Sequence, residues 1–115
     1  GAYCTGFAKS REPRVFQTYM GSLPDISTLA HELGHAYHSW VMRDLPRGQL
    51  HYPMTLAETA SVFGETLLRD TMDQMASSRD EKIEFGWMNL ESAAAYLINT
   101  PARFEFERAF YERRQ

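Results

Sequence analysis

The chain has 115 residues, 43% of them hydrophobic, and acidic residues outnumber basic ones by three. This length allows one modest domain, and the small net charge excludes the basic surface of a protein that binds nucleic acid or an anionic membrane. The longest apolar run, residues 93–98, is far too short to cross a bilayer. Cys4 is the single cysteine, which excludes an intrachain disulfide. We therefore expect a soluble, cytoplasmic protein with no nucleic-acid or membrane partner.

The first 20 residues are predicted to form a β-hairpin. Residues 2–8 and 14–20 have strand character, and a turn around Pro13 separates them. The second strand lies directly before a predicted helix, where an edge strand can hold an extended peptide by main-chain hydrogen bonds. An ordinary packed strand is the alternative. On the peptide-binding hypothesis, the substrate-contacting residues in this region are Phe16, Thr18 and Tyr19.

The next element is a helix over residues 24–43. Pro24 marks its start, and Ser22 or Asp25 is expected to cap it. An apolar stripe at helical spacing predicts the face through which this helix packs. The stripe consists of Leu29, Leu33, Tyr37 and Trp40. Gly34 lies in the helix interior, where it costs about 1 kcal/mol relative to alanine. Close approach of a substrate or of a second helix would explain it.

This helix carries the most informative motif of the chain, residues 31–35. His31 and His35 are at positions i and i+4, so that both imidazoles can reach a single metal ion. Glu32 projects about 100° around the helix from His31, near the metal without having to bind it. A carboxylate placed there can take a proton from water, which is the chemistry of zinc peptidases. Two solvated histidines on a helix are the alternative.

A zinc site needs a third protein ligand. His38 lies on the same helix face, but three ligands along one straight helix extend over about 10 Å, too far to converge on one ion. We therefore expect His38 to be a supporting neighbour of the site. His51, in a predicted loop over residues 47–53, is a second candidate for the ligand.

The third candidate, Glu58, lies near the start of a second predicted helix over residues 54–76. Thr55 and Glu58 also have the spacing of a capping box, and from spacing alone the capping and ligand roles are equally favoured. The stripe expected to pack consists of Leu56, Ala60, Phe63 and Leu67. On the opposite side of the helix lie Glu58, Glu65 and Arg69.

A helical segment over residues 79–114 is predicted to follow. Ser78 opens it, Pro101 kinks or ends its first helix, and Thr100 is expected to cap the continuation. Its apolar positions at helical spacing are expected to be core. They are Ile83, Trp87, Leu90, Ala94 and Leu97.

Two motifs together resemble one family. Residues 31–39 read HELGHAYHS and residues 56–65 read LAETASVFGE, and the segments around residues 13–30 and 101–107 also match. This pattern resembles the oligoendopeptidase F branch of the thimet-oligopeptidase-like (M3) zinc metallopeptidases, with the chain as a catalytic-core fragment. Gly64 stands where that family often has asparagine.

The resemblance implies a mainly α, gluzincin-like helical core with a short N-terminal β-hairpin. It implies one Zn²⁺ bound by His31, His35 and Glu58, with Glu32 as general base. Ser61 and Glu65 would support these groups.

The resemblance also implies a single metallopeptidase catalytic domain, of which residues 1–115 are a part. Members are several times longer, and a downstream segment with His and Tyr completes their active site. Within this chain, His51 and Tyr52 are the candidates for that substrate-binding role.

The expected function is that of a zinc metalloendopeptidase acting on short peptides. The remainder of the parent chain would be its structural partner. Two alternatives remain: a truncated module that binds zinc and peptide without catalysis, and a zinc carboxypeptidase with a similar helical core.

Overall fold

The computed structural model describes residues 1–114, and their fold is mainly α with one short N-terminal hairpin, as the sequence predicts. The chain forms two compact units, residues 1–70 and the residues from Thr71 onward. The first unit contains the hairpin, the first long helix and most of the second. No helix among the described residues is both long and apolar enough to cross a membrane.

The hairpin consists of β1 (Ala2–Phe7) and β2 (Glu12–Gln17), paired antiparallel with Ala2 opposite Gln17. The second strand thus lies earlier than the predicted range of 14–20. The reason is that the stretch after Gln17 is bound to the next helix, because Asp25 Oδ2 accepts hydrogen bonds from the Met20 and Ser22 N–H groups, at 3.0 Å each. Both strands pack against that helix.

Helix α1 spans Leu23–Met42 and begins with a capping box. Ser22 Oγ accepts from the Asp25 N–H at 3.3 Å, while Asp25 accepts in return from Ser22. Both predicted capping residues are therefore used, in complementary roles. Gln17 Nε2 donates to the Asp25 carbonyl at 2.7 Å and ties the end of the hairpin to the start of the helix.

The second predicted helix is interrupted at Glu58. After a 3₁₀ turn (Arg47–Gln49), α2 spans Met54–Ala57 and α3 spans Thr59–Met75. The capping box that was the alternative role for Thr55 and Glu58 is not formed, because Pro53 is the N-cap of α2 and no side chain caps that end. Glu58 lies instead at the junction of the two helices, where its carbonyl accepts from the Val62 N–H at 2.9 Å. Because its side chain caps no helix, that carboxylate is available for another contact.

The second unit contains the end of α3, helix α4 (Arg79–Ala94), a π-helical turn (Ala95–Asn99) and α5 (Thr100–Glu112). Ser78 caps α4 in a capping box with Glu81. The predicted capping role of Thr100 is wrong, because its hydroxyl donates back to the Ala95 carbonyl at 3.0 Å. The helix continues through the π turn into α5, and Pro101, which has no N–H to donate, lies at the first positions of α5.

The predicted apolar packing faces are wrong in this structure. Among the described residues no hydrophobic side chain is buried, and representative members of the three stripes, Tyr37, Phe63 and Trp87, are 68%, 62% and 63% exposed. The buried side chains are polar ones, Glu32 and Ser61 among them. For α1, the contact with α3 is made at Ala30 and Gly34, outside its apolar stripe, so the stripe stays exposed.

Candidate metal centre

Two glycines bring α1 and α3 into backbone contact. A Cβ atom at Gly34 would lie 2.3 Å from the Ala60 carbonyl oxygen, and one at Gly64 would lie 2.6 Å from the Ala30 carbonyl oxygen. Neither separation is possible for a real side chain, so only glycine fits at these positions. The second helix is therefore the partner that explains Gly34. It also accounts for Gly64, since an asparagine there would collide with the α1 backbone.

This close approach places Glu58 against both histidines of α1. Glu58 Oε2 lies 3.1 Å from His31 Nε2 and 3.4 Å from His35 Nε2. The ligand atoms of the three residues all lie within 4.8 Å of one another, so the group can hold a metal ion. Tetrahedral zinc with bonds of about 2.1 Å separates its ligand atoms by about 3.4 Å, close to the spacing observed here. Two imidazoles and one carboxylate form a donor set that zinc accepts at catalytic sites.

Ser61 holds the Glu58 side chain. Its hydroxyl lies 2.8 Å from Glu58 Oε2 and 3.0 Å from the Glu58 carbonyl oxygen, and the residue is completely buried. A buried hydroxyl needs a partner, and here that partner is the candidate ligand and its backbone. Ser61 thus restricts the rotamers of a carboxylate that is otherwise largely exposed.

Glu65 holds the His31 ring from the other side. Its Oε1 atom lies 2.6 Å from His31 Nδ1, and its Oε2 atom pairs with the Arg69 guanidinium. A carboxylate next to Nδ1 favours the proton on that nitrogen, which leaves the Nε2 lone pair directed towards Glu58. Glu65 and Arg69 are both well buried, with side chains only 10% and 16% exposed.

Arg69 is the site residue that sequence reasoning missed. The Glu65–Arg69 spacing of i,i+4 signals an ion pair on one helix face. That spacing does not indicate that the pair lies against a histidine of another helix. That information comes only from the packing of α3 on α1.

Glu32 lies on α1 next to His31 and is 8% exposed. Within the described residues, its carboxylate forms no hydrogen bond or ion pair. The neighbouring strand contributes Cys4, and burial together with the negative charge of Glu32 raises the pKa of the Cys4 thiol. Glu32 is thus a buried carboxylate beside the candidate metal ligands, on the hairpin side of α1.

The structure does not bring His38 or His51 to the metal ligands. The His38 ring contacts the ring of Tyr52, with centroids 4.5 Å apart, and its Nδ1 atom is buried without a hydrogen-bond partner in the described chain. His51 and Tyr52 line a separate cavity at the C-terminal end of α1. The His31–His35–Glu58 group includes neither histidine.

The three hairpin residues predicted to contact a peptide lie on β2 and just after it. Phe16 stacks on Tyr3 with centroids 5.4 Å apart, and the Thr18 N–H donates to the Gly1 carbonyl at 3.0 Å. The Thr18 N–H is therefore already used. The Tyr19 side chain is exposed. In the described part of the chain, these three residues form no hydrogen bond, ion pair or ring contact with His31, His35 or Glu58.

Comparison with known proteins identifies the family of the chain. Residues 1–103 match peptidase family M3. The chain is similar to the chromosomal oligoendopeptidase F of Lactococcus lactis subsp. cremoris, with 35% identity over 97% of this chain and 19% of that protein. It is 29% identical to the oligopeptidase PepF of Bacillus subtilis (strain 168), over 100% of this chain and 17% of that protein.

A third relative is the group B oligopeptidase PepB of Streptococcus agalactiae, 30% identical over 96% of this chain and 18% of that protein. The chain thus spans about a fifth of the length of the curated relatives it matches, 19% for the first of them. No solved structure matches it significantly. The resemblance drawn from the two motifs is confirmed: the chain belongs to peptidase family M3, on its oligoendopeptidase F branch.

Proposed function

We propose that these residues form the zinc-binding core of a metalloendopeptidase that hydrolyses short peptides. The observation that carries the proposal is the convergence of Glu58 Oε2 on the Nε2 atoms of His31 and His35, at 3.1 and 3.4 Å. The peptidase family and the names of the oligopeptidase relatives support the reaction class.

Zinc fits the donor set and its spacing, and His31, His35 and Glu58 would hold one ion. Bound there, zinc would polarise the scissile carbonyl and supply a water whose pKa is lowered towards neutrality. The buried Glu65 carboxylate would keep the proton on His31 Nδ1, and Ser61 would restrain Glu58. Both contacts prepare the ligands for binding and lower the entropic cost of organising the site.

Glu32 is proposed as the general base. Its carboxylate is next to the ligands and forms no hydrogen bond in the described chain, so an oxygen is available to accept the proton of the attacking water. The same carboxyl group can then donate that proton to the amine that leaves. A base in this position contributes about 10²- to 10⁴-fold to the rate.

The remainder of a parent chain is proposed to cover the apolar stripes. These stripes include half-exposed Leu33, Trp40 and Leu67, and a protein that keeps such large contiguous apolar faces normally buries them against a partner surface. The curated relatives are several times longer than this chain. A cytoplasmic location stays a prediction from composition.

The test uses the complete natural protein that carries these residues. Bound zinc is measured by elemental analysis, and cleavage of internally quenched peptides is measured before and after treatment with a chelator. We expect about one zinc per chain, internal cleavage of peptides with blocked C-termini, and loss of activity on chelation that added zinc restores. Zinc binding without cleavage would support the non-catalytic module instead. Cleavage confined to the last residue of peptides with free C-termini would support a carboxypeptidase.

A further inference from the structure

The first unit contains a cavity of about 420 Å³ that the proposed zinc chemistry does not use. The hairpin turn, the C-terminal end of α1 and the segment after α1 form its walls. Cavities of this size commonly bind small ligands or parts of larger ones. His51 and Tyr52 line it, together with Arg11, Arg43 and Arg47.

The cavity lies on the face of α1 that carries the candidate metal ligands. Ser39 and Met42 belong to its wall. In a helix they lie about 80° and 20° around the axis from His31, whereas His35 lies about 40° from it. His38, on the same face, contacts Tyr52 from the cavity wall. The metal centre and the cavity are therefore neighbours along one helix face.

The charge of the cavity wall favours an anion. Three arginines and a single carboxylate, Glu12, line the cavity. Glu12 is paired with Arg14, which does not line the cavity, at 3.9 Å. Arg43 is already engaged, because its Nη1 donates to the Trp40 carbonyl at 3.0 Å and its guanidinium stacks 3.7 Å above the Trp40 ring.

The other two arginines retain free donors. Arg11 donates from one nitrogen, Nη1, to the Arg43 carbonyl at 3.0 Å, and a guanidinium has five N–H donors in all. The Arg47 side chain forms no hydrogen bond or ion pair with any described residue. Such guanidinium groups bind planar carboxylates by paired charge-assisted hydrogen bonds.

The hairpin connects the two sites. Cys4 of β1 is close enough to Glu32 for that charge to raise the pKa of its thiol. Gly6 and Phe7, at the end of the same strand, line the cavity. From Glu32 to the helix residues of the cavity wall, Ser39 to Arg43, the distance along α1 is about 10–16 Å at about 1.5 Å per residue. An extended peptide spans that distance with about three to five residues.

We propose that this cavity is a subsite that binds a carboxylate of the peptide substrate, three to five residues from the bond that is cleaved. The inference rests on the proposed peptidase function and narrows its substrate class to short peptides with a carboxylate at that distance. The carboxylate can be the C-terminus of the substrate or an acidic side chain, since the guanidinium groups recognise both.

The experiment measures peptide binding separately from cleavage. The complete natural protein with Glu32→Gln is titrated with fluorescent hexapeptides of three kinds: free C-terminus, amidated C-terminus, and amidated C-terminus preceded by glutamate. We expect the free peptide to bind about tenfold more tightly than the amidated one. If the glutamate peptide binds as tightly as the free peptide, the subsite accepts any carboxylate. If it binds as weakly as the amidated peptide, the subsite is specific for the C-terminus.

Substitutions then locate the binding groups. Arg47→Gln and Arg11→Gln should each reduce the preference for the free over the amidated peptide, by about threefold to tenfold. Lys9→Gln is the matched control, because Lys9 is an exposed cation of the same hairpin turn that does not line the cavity. It should leave the preference unchanged.

The inference is overturned if free and amidated peptides bind equally, if neither binds, or if the Lys9 variant loses as much preference as the arginine variants. These results are distinct from failure of the proposed function. Cleavage without a carboxylate preference would leave the peptidase proposal intact. A carboxylate preference in a protein that never cleaves a peptide would refute the proposed function alone.

Discussion

Nδ1 of His31 lies 2.6 Å from Oε1 of Glu65, a residue 34 positions later in the chain. The contact joins a histidine of α1 to a buried carboxylate of α3, and Arg69 holds that carboxylate by an ion pair one turn further on. A hydrogen bond to the nitrogen that does not face the metal fixes both the tautomer and the orientation of a ligating imidazole. In the proposed zinc site, this contact would make zinc affinity depend on residues that do not touch the ion.

The first prediction concerns Arg69. Replacing it with methionine removes the partner of Glu65 but preserves much of the side-chain volume, and we expect zinc affinity to fall about tenfold. Competition with a chromogenic chelator measures this without reference to activity. Arg108→Met is the control, because it removes a similar ion pair, with Glu105, far along the sequence in α5. Equal losses in both variants would mean that Arg69 has no specific role at the site.

Glu58 is expected to contribute far more to zinc affinity than its neighbours. Glu58→Ala removes one of three ligands, so the dissociation constant for zinc should rise by at least about two orders of magnitude. Ser61→Ala removes only the restraint on that ligand, and its effect should be smaller, about tenfold or less. Elemental analysis after dialysis against a weak chelator distinguishes the two. Unchanged zinc content in the Glu58 variant would contradict its assignment as a ligand.

Glu32→Gln should separate binding from catalysis. Glutamine has nearly the same shape but cannot accept the proton, so zinc content should be unchanged while kcat falls about 10²- to 10⁴-fold. Steady-state hydrolysis of a quenched peptide gives the rate, and elemental analysis gives the metal content. Hydrolysis at the wild-type rate by the zinc-loaded variant would refute the role of Glu32 as general base.

Gly34→Ala should destabilise both the first unit and its metal site. The added methyl group meets the Ala60 carbonyl oxygen at 2.3 Å, so α1 and α3 must separate, at a cost of about 1–3 kcal/mol in the free energy of unfolding. Gly86→Ala is the matched control, because Gly86 lies within α4 and its Cβ would meet nothing within 4 Å. That substitution should stabilise the protein by about 0.5–1 kcal/mol.

Chemical denaturation measures the free energy of unfolding of both glycine variants. Zinc affinity is measured in parallel, and it should fall only for the Gly34 variant, because Glu58 moves away from the histidines when α3 moves. A Gly34→Ala protein with normal stability and zinc affinity would refute the importance of the close helix contact.

The stability of the start of α1 should decrease at acidic pH. The backbone and side-chain hydrogen bonds from Ser22, with a backbone hydrogen bond from Met20, lower the pKa of Asp25. Because the pKa is depressed in the folded state, the contribution is complete above the unfolded value of about 3.9 and is lost as the pH falls through the folded pKa. Amide chemical shifts of Met20 and Ser22 should therefore titrate with a midpoint below the unfolded value. In Asp25→Asn this transition should vanish, and a midpoint at or above the unfolded value would contradict the capping geometry.

Local patterns were sufficient for several parts of this protein. The i,i+4 histidines, the helix around them, the cap at Ser22 and the helix start at Ser78 all depend on residues within one or two turns of each other. The same is true of the hairpin, although its second strand lies earlier than predicted. Such features follow from backbone geometry and short-range hydrogen bonds, which are the same in any fold.

Other features were decided by tertiary packing alone. The sequence left Glu58 equally suited to cap a helix or to bind a metal, and packing of α3 on α1 decided its position beside His31 and His35. The spacing of Glu65 and Arg69 predicts an ion pair, but not that the pair holds His31. The apolar stripes indicated packing faces, yet the structure covers the polar side of α1.

The sequence by itself therefore determined the chemical groups available on each helix: two imidazoles and a carboxylate on one, and carboxylates on the other. Tertiary structure decided which of these groups meet, because that depends on the separation between helices. Gly34 and Gly64, which lack the Cβ atoms that would hold α1 and α3 apart, set that separation. The position of the cavity depends on a different packing, that of the hairpin and of the segment after α1 around the C-terminal end of that helix.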